Sequence, residues 1–97
     1  MIYCHVFYKA KPGMIKTFYD ELIKADIPNK IRANPGNVMY TFYEPVEKDP
    51  DTMFLLEYWK DQASLDAHLA SEYRPLQNEI KNKYLLSADV KQISDSE

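Results

Sequence analysis

From Ile2 to Lys9 the chain runs through β-branched and aromatic residues with hardly a break, the signature of a strand. Lys11-Pro12-Gly13 interrupts it, and from Met14 the apolar period lengthens. Met14, Phe18 and Leu22 recur every fourth residue, with Ile15, Tyr19 and Ile23 in an adjacent row, so the spacing predicts a helix with a broad apolar stripe. Pro28 lacks an N–H and crowds the preceding turn, so it is expected to kink or end that helix, with a short continuation to about Ala33. Asn34-Pro35-Gly36-Asn37 is a turn signal, and Val38 to Glu44 a second strand. Met53 to Trp59 is a third strand, joined to the second across Lys48-Asp49-Pro50-Asp51; so short a polar loop predicts an antiparallel hairpin. Asp61 can cap a helix from about Gln62 to Ser71, in which Leu65, His68 and Leu69 fall at helical spacing. Pro75 suits the first turn of a further helical segment reaching about Lys83. Leu85 to Ile93 is a last strand, and Ser94 to Glu97 is expected to be a frayed tail.

The order β-α-β-β-α-β specifies an α+β, ferredoxin-like domain: a four-stranded antiparallel sheet with helices on one face. The 97 residues make one domain, with its core over about 2–93. The third strand is nearly apolar on both faces: Met53, Leu55, Glu57 and Trp59 share one, Phe54, Leu56 and Tyr58 the other. The first strand behaves alike, with Tyr3 and Phe7 on one side and Cys4 and Val6 on the other. A solvated face would alternate with polar residues. A bare face of this kind exceeds the roughly 400 Å² of contiguous apolar surface that a monomer tolerates. A second copy is therefore expected to cover it, making a homodimer through the open sheet face.

Composition narrows the function classes. Twelve basic against fifteen acidic residues leave a net charge of −3, which gives no reason to expect nucleic acid or an anionic membrane as a partner. No apolar run approaches the roughly 18 residues needed to cross a bilayer. No basic segment precedes a long apolar one at the N-terminus, so the expected location is the cytoplasm. The single Cys4 excludes an internal disulfide and reads as a small core residue. Eight tyrosines, four phenylalanines and one tryptophan supply rings with polar tips, useful in pockets and interfaces alike.

One block carries a resemblance. Glu57-x-Trp59, then Asp61, Ala67-His68 and Ser71 resemble the signature of the antibiotic biosynthesis monooxygenase family. Lys11-Pro12-Gly13 before the first helix and Pro35-Gly36 followed by Tyr40 support it, and the resemblance spans roughly residues 2 to 93. It implies a dimeric α+β barrel with a pocket in each subunit between helices and sheet, Glu57 and Trp59 facing it from the third strand and His68 from the helix. It also implies a cofactor-independent oxidation: an aromatic quinol or polyphenol supplies the electrons to molecular oxygen, and the protein deprotonates and orients it.

Each candidate side chain has two readings. His68 is the candidate proton acceptor, since an imidazole titrates near 6.5; otherwise it packs or caps its helix. Trp59 can donate its indole N–H to a substrate oxygen and stack on a ring; otherwise it is core. Glu57 can orient His68 or accept a hydroxyl proton; otherwise it forms a salt bridge to Arg32, Arg74 or a partner-chain cation. Tyr40 and Tyr73 are candidate substrate contacts. Tyr73 stands where many relatives carry a second histidine, which argues against a two-histidine mechanism here.

His5, His68 and Glu57 have the ligand types of a two-histidine, one-carboxylate iron site, but no short ligand pair supports one, so no metal is expected. Haem degradation is disfavoured, because the family's strand asparagine and iron-ligating histidine align with Val6 and Gln77, and neither substitute can do that work. With glycines only at 13 and 36, there is no phosphate-binding loop. The leading expectation is a cofactor-free monooxygenase with His68 and Glu57 catalytic and Trp59, Tyr40 and Tyr73 binding the ring. The alternatives are a non-catalytic, stress-related ligand-binding barrel and a proton-transfer isomerase using the same pocket.

Overall fold

In the computed structural model, which describes residues 1–95, both expected helical regions are divided in two. The order is β1 (Ile2–Ala10), α1 (Ile15–Lys24), α2 (Ile27–Arg32), β2 (Asn37–Tyr43), β3 (Thr52–Trp59), α3 (Gln62–Leu69), α4 (Arg74–Tyr84) and β4 (Leu85–Ser94). The strands lie in the order β2-β3-β1-β4, every neighbouring pair antiparallel, as the ferredoxin-like reading requires. The two strands that are apolar on both faces, β1 and β3, are the central pair.

The helices cover one face. Phe18, Leu22, Ile27, Ile31, Leu65 and Ile80 pack onto Cys4, Val6, Tyr8, Met53, Leu55 and Trp59. Full burial of an aliphatic or phenylalanine side chain stabilises by roughly 1.5–3 kcal/mol, so this cluster fixes the helices to the sheet. The rest of the α1 stripe joins it only in part: Ile15 packs against its edge, while Met14, Tyr19 and Ile23 are exposed. Leu69 of α3, expected on the buried stripe, is exposed as well.

The helix break falls earlier than Pro28. Asp26 takes a left-handed conformation, with φ at 60°, between α1 and α2. Pro28 then sits in the first turn of α2, where a missing N–H costs nothing. At the other turn, Gly36 is required by close approach. Its carbonyl accepts from the Lys60 N–H at 2.8 Å, and a Cβ there would run into the Ser64 side chain. Ser64 cannot step aside freely, because Asp61 accepts from both its N–H (2.8 Å) and its hydroxyl (2.7 Å) while capping α3. This junction sets α3 over the end of β3.

The helix-free face carries an aromatic ladder. Tyr3 meets Tyr58 edge-on at 4.6 Å between centroids, and Phe54 lies between Phe7 at 4.9 Å and Tyr43 at 5.6 Å. Phe7 and Tyr43 are each 47% exposed. At the C-terminus the expected fraying does not begin at Ser94. Ser94 pairs with Ile2, and the Asp95 carboxylate accepts from the Tyr3 hydroxyl (2.6 Å) and the N-terminal ammonium (3.0 Å). Residues 96 and 97 of that expected tail lie outside the described residues.

Candidate functional site

Glu57 and Trp59 alternate onto the helix side of β3, where the third strand runs under α3. The Trp59 indole N–H donates to Glu57 Oε1 at 3.1 Å. His68, 3% exposed, descends from α3 and stacks on the indole, with centroids 4.8 Å apart and planes 23° from parallel. Tyr73, at the start of α4, brings its hydroxyl within 2.5 Å of His68 Nδ1. Tyr40 is the cross-strand partner of Glu57 on β2 and is buried on the same face. All five side chains picked from the sequence therefore meet on one side of the sheet.

Their roles differ from the expected ones. Asn34 Nδ2 donates to the Ile31 carbonyl (2.8 Å) and to the Tyr73 hydroxyl (2.9 Å), which occupies both amide protons. The Tyr73 hydroxyl accepts from Asn34, so its own proton is left for His68 Nδ1. The neutral imidazole consequently carries its proton on Nε2, a tautomer assigned from this network. Burial first, and then the charges of Arg74 and Lys81, push the imidazole down to about 4. Burial and the neighbouring positive charges thus favour the neutral imidazole with its Nε2–H as a donor, and they weaken His68 as an acceptor of a second proton. The Trp59 N–H is likewise already engaged by Glu57, so it is not free for a substrate oxygen.

Among the described residues no salt bridge joins Glu57 to Arg32 or Arg74. Arg32 instead holds the Tyr40 carbonyl through Nε (3.0 Å) and Nη2 (2.7 Å). Burial pushes the Glu57 carboxyl up, and the Trp59 hydrogen bond, Lys81 and Arg74 only partly offset that.

Four further groups complete the cluster, and sequence reasoning missed them as site residues. Arg74, Gln77 and Lys81 recur at i, i+3 and i+7 on α4 and so share one face. Gln77 is buried and accepts from Arg74 Nη1 at 2.9 Å, while Arg74 Nε is buried without a partner among the described residues. The Lys81 ammonium lies 5.2 Å from the centroid of the Tyr8 ring, a side chain only 2% exposed. Burial pushes the Tyr8 and Tyr40 phenols up and, with the Arg74 charge, pushes Lys81 down to about 8. The signal available in the sequence was that polar face, which reads as an ordinary solvated one.

His5 lies on the opposite face of the sheet, edge-on to Phe54 at 5.8 Å, so the sheet separates it from His68 and Glu57. Among the described residues no group of three or more His, Cys, Asp or Glu side chains is placed to hold a metal ion. Two surface clefts lie away from the cluster: one of about 370 Å³ between α1 and α4, and one of about 470 Å³ between α1 and the β2 end, lined by Tyr19 and Phe42. Among the described residues no helix is long and apolar enough to cross a membrane.

The depressed imidazole has a consequence for stability. An unfolded histidine binds a proton near 6.5, the folded one only near 4, so between those values the unfolded chain holds more protons and stability falls as pH drops. Glu57 works in the opposite sense, because its folded carboxyl binds a proton more readily than the unfolded one. The expected result is a melting temperature that falls from pH 7 to pH 5, less steeply in His68→Gln and more steeply in Glu57→Gln. A His68→Gln melt that tracks the wild type across this range would contradict the assignment.

Residues 1–74 match the model of a protein family described as Antibiotic biosynthesis monooxygenase. The chain is 34% identical over 89 residues to a protein of Bacillus subtilis (strain 168) named "Putative monooxygenase YcnE", covering 91% of this chain and 88% of that one. Among solved structures it is similar to PA3566 from Pseudomonas aeruginosa, with a TM-score of 0.83 at 20% identity over 99% of this chain and 94% of that one. It is also similar to a crystal structure of an antibiotic biosynthesis monooxygenase, with a TM-score of 0.82 at 22% identity over the whole of both chains. At these identities the two structural likenesses establish the shared fold.

Proposed function

The chain belongs to the antibiotic biosynthesis monooxygenase family, and from that premise we propose that it oxidises a small aromatic quinol or polyphenol with molecular oxygen. The observation that carries the reading is the orphaned Arg74 Nε, buried beside the Glu57–Trp59–His68 stack. Buried polar groups are nearly always paired. Here a guanidinium N–H has no partner among the described residues, and the buried side chains of Tyr8 and Tyr40 face the same charges. A planar ring bearing hydroxyls can accept from that N–H and stack on neighbouring aromatic side chains.

In this reading no bound cofactor or metal takes part, because the substrate supplies the electrons. A hydroquinone and dioxygen give a hydroxyquinone and water. The ring loses a hydroxyl proton and becomes electron-rich enough to reduce oxygen. A carbon–oxygen bond forms, and the O–O bond then breaks. One oxygen atom stays on the ring and the other leaves as water, the ring having lost two hydrogens. The His68 Nε2–H and Arg74 are placed to hold the negative charge that builds on oxygen. Tyr40 and Tyr73 flank the ring, and Trp59 supports His68 from below. Oxygen uptake with a panel of hydroquinones tests this, and one dioxygen is expected per quinone formed. Ligand-dependent thermal shifts without any oxygen uptake would make the protein a binding barrel. Turnover that persists under nitrogen would make it a proton-transfer isomerase.

The same reading takes the active unit as a homodimer, a second copy covering the aromatic ladder of Tyr3, Phe7, Tyr43, Phe54 and Tyr58. Light scattering behind gel filtration is expected to give twice the chain mass at micromolar concentration, and Phe54→Glu is expected to give the monomer by burying two charges face to face. A stable wild-type monomer at that concentration would remove the dimer.

A further inference from the structure

We propose that Lys81 is the residue that ionises the bound phenol: its amine takes the hydroxyl proton and, as the ammonium, holds the phenolate against Tyr8. This rests on the reading of the site as a phenol pocket.

A lysine on a surface helix ordinarily extends its head into water. Lys81 instead follows Arg74 and the buried Gln77 along the sheet-facing side of α4 and places its nitrogen over the ring of Tyr8. It has no hydrogen-bond or salt-bridge partner among the described residues. The groups that face it are Tyr8 from β1, Glu57 from β3, His68 from α3 and Arg74 from its own helix. Only Glu57 among them can carry a negative charge near neutral pH, and it is engaged by the Trp59 indole. Arg74 and Lys81 together therefore leave the pocket electropositive, and an anion on the ring fills that deficit.

Proton affinities then separate the candidate bases. A phenol titrates near 10 or so. The site lowers the imidazole to about 4 and the amine only to about 8, so of the two Lys81 is the stronger base for a phenolic proton. Near neutrality a usable fraction of Lys81 is the free amine, which is the condition for a general base. In the step the phenolic O–H bond breaks and an N–H bond forms. The two neutral groups become a phenolate and an ammonium in contact, and the same pair results when the ammonium captures phenolate from solution. Arg74 cannot substitute, because a guanidinium does not give up its proton.

The test uses 4-nitrophenol as the probe, since its absorbance reports ionisation directly and quenching of Trp59 fluorescence reports binding. In the wild type the bound probe is expected to ionise at a lower pH than the free probe. In Lys81→Met the bound midpoint is expected to rise by at least one pH unit, a tenfold loss of phenolate at fixed pH. Lys81→Arg is expected to keep the low midpoint, because the charge remains, yet to lose at least tenfold in hydroquinone oxidation, because no base remains. Equal bound midpoints in wild type and Lys81→Met would overturn the role of Lys81 while leaving the pocket. Absence of quenching in the wild type would overturn both. A Lys81-dependent midpoint without oxygen uptake would overturn the oxidation and leave Lys81 as an ionising group. Should Lys81→Met not fold by circular dichroism, the wild-type midpoint and Lys81→Arg decide the matter alone.

Discussion

Trp59→Ala is expected to destabilise the protein by about 3–5 kcal/mol, the cost of emptying a large aromatic site in a closed core. In a domain of this size that corresponds to a fall in melting temperature of roughly 12–40 °C. Three losses coincide. The indole is fully buried, it is the surface on which His68 stacks, and its N–H is the donor to Glu57. Trp59→Phe separates them: the ring surface largely survives, but the buried carboxylate loses its donor, worth about 1–3 kcal/mol when left unmet. That variant is expected to melt between the wild type and Trp59→Ala and to show a Glu57 carboxyl pushed still higher, because the indole hydrogen bond acts to lower it. Circular dichroism melts read the first effect. A Trp59→Ala protein melting within about 5 °C of the wild type would mean that the site is far more plastic than its burial implies.

His68→Ala is expected to reduce kcat/KM for hydroquinone oxidation by roughly 10²–10³, the range found when one donor to a developing oxyanion is removed. In the proposed mechanism the side chain acts through its Nε2–H, since Nδ1 is already taken up by the Tyr73 hydroxyl. His68→Gln, which retains an amide N–H, is therefore expected to recover part of the loss, whereas a residue acting as base would gain nothing from that replacement. The wild-type kcat profile is expected to lack an inflection at the ordinary histidine value, since this imidazole titrates near 4. Oxygen-electrode rates across pH 5 to 9 for the three proteins check both points. Unchanged turnover in a folded His68→Ala protein would remove the imidazole from the mechanism.

Much of this arrangement was legible along the chain. The lengthening of the apolar period at Met14, the Asn34–Asn37 turn and the hairpin loop at Lys48–Asp51 are local signals, and local signals mark elements wherever backbone preference and packing agree. The parity of Glu57 and Trp59 and the cap at Asp61 were legible for the same reason. The helix break was misplaced because Pro28 is compatible with a first turn, so the chain turns at Asp26 instead. The outward row of α1 and the exposed Leu69 were misjudged because a stripe shows which residues are apolar, not how wide a surface the neighbouring elements provide.

For the site, the residue types in β3 and α3 were enough to draw Glu57, Trp59 and His68 together, since a strand and the helix capped directly after it have little freedom to diverge. Their protonation and hydrogen-bond roles were not, because these depend on groups distant in sequence. Asn34, 39 positions before Tyr73, sets the tautomer of His68 through one hydroxyl. Lys81 reaches the ring of Tyr8 across the core. Periodicity and turn chemistry, being properties of near neighbours, determined the order of strands and helices. Charge and proton affinity decay over a few ångströms of space whatever the separation along the chain, so only the tertiary structure decided which of these side chains gives a proton and which takes one.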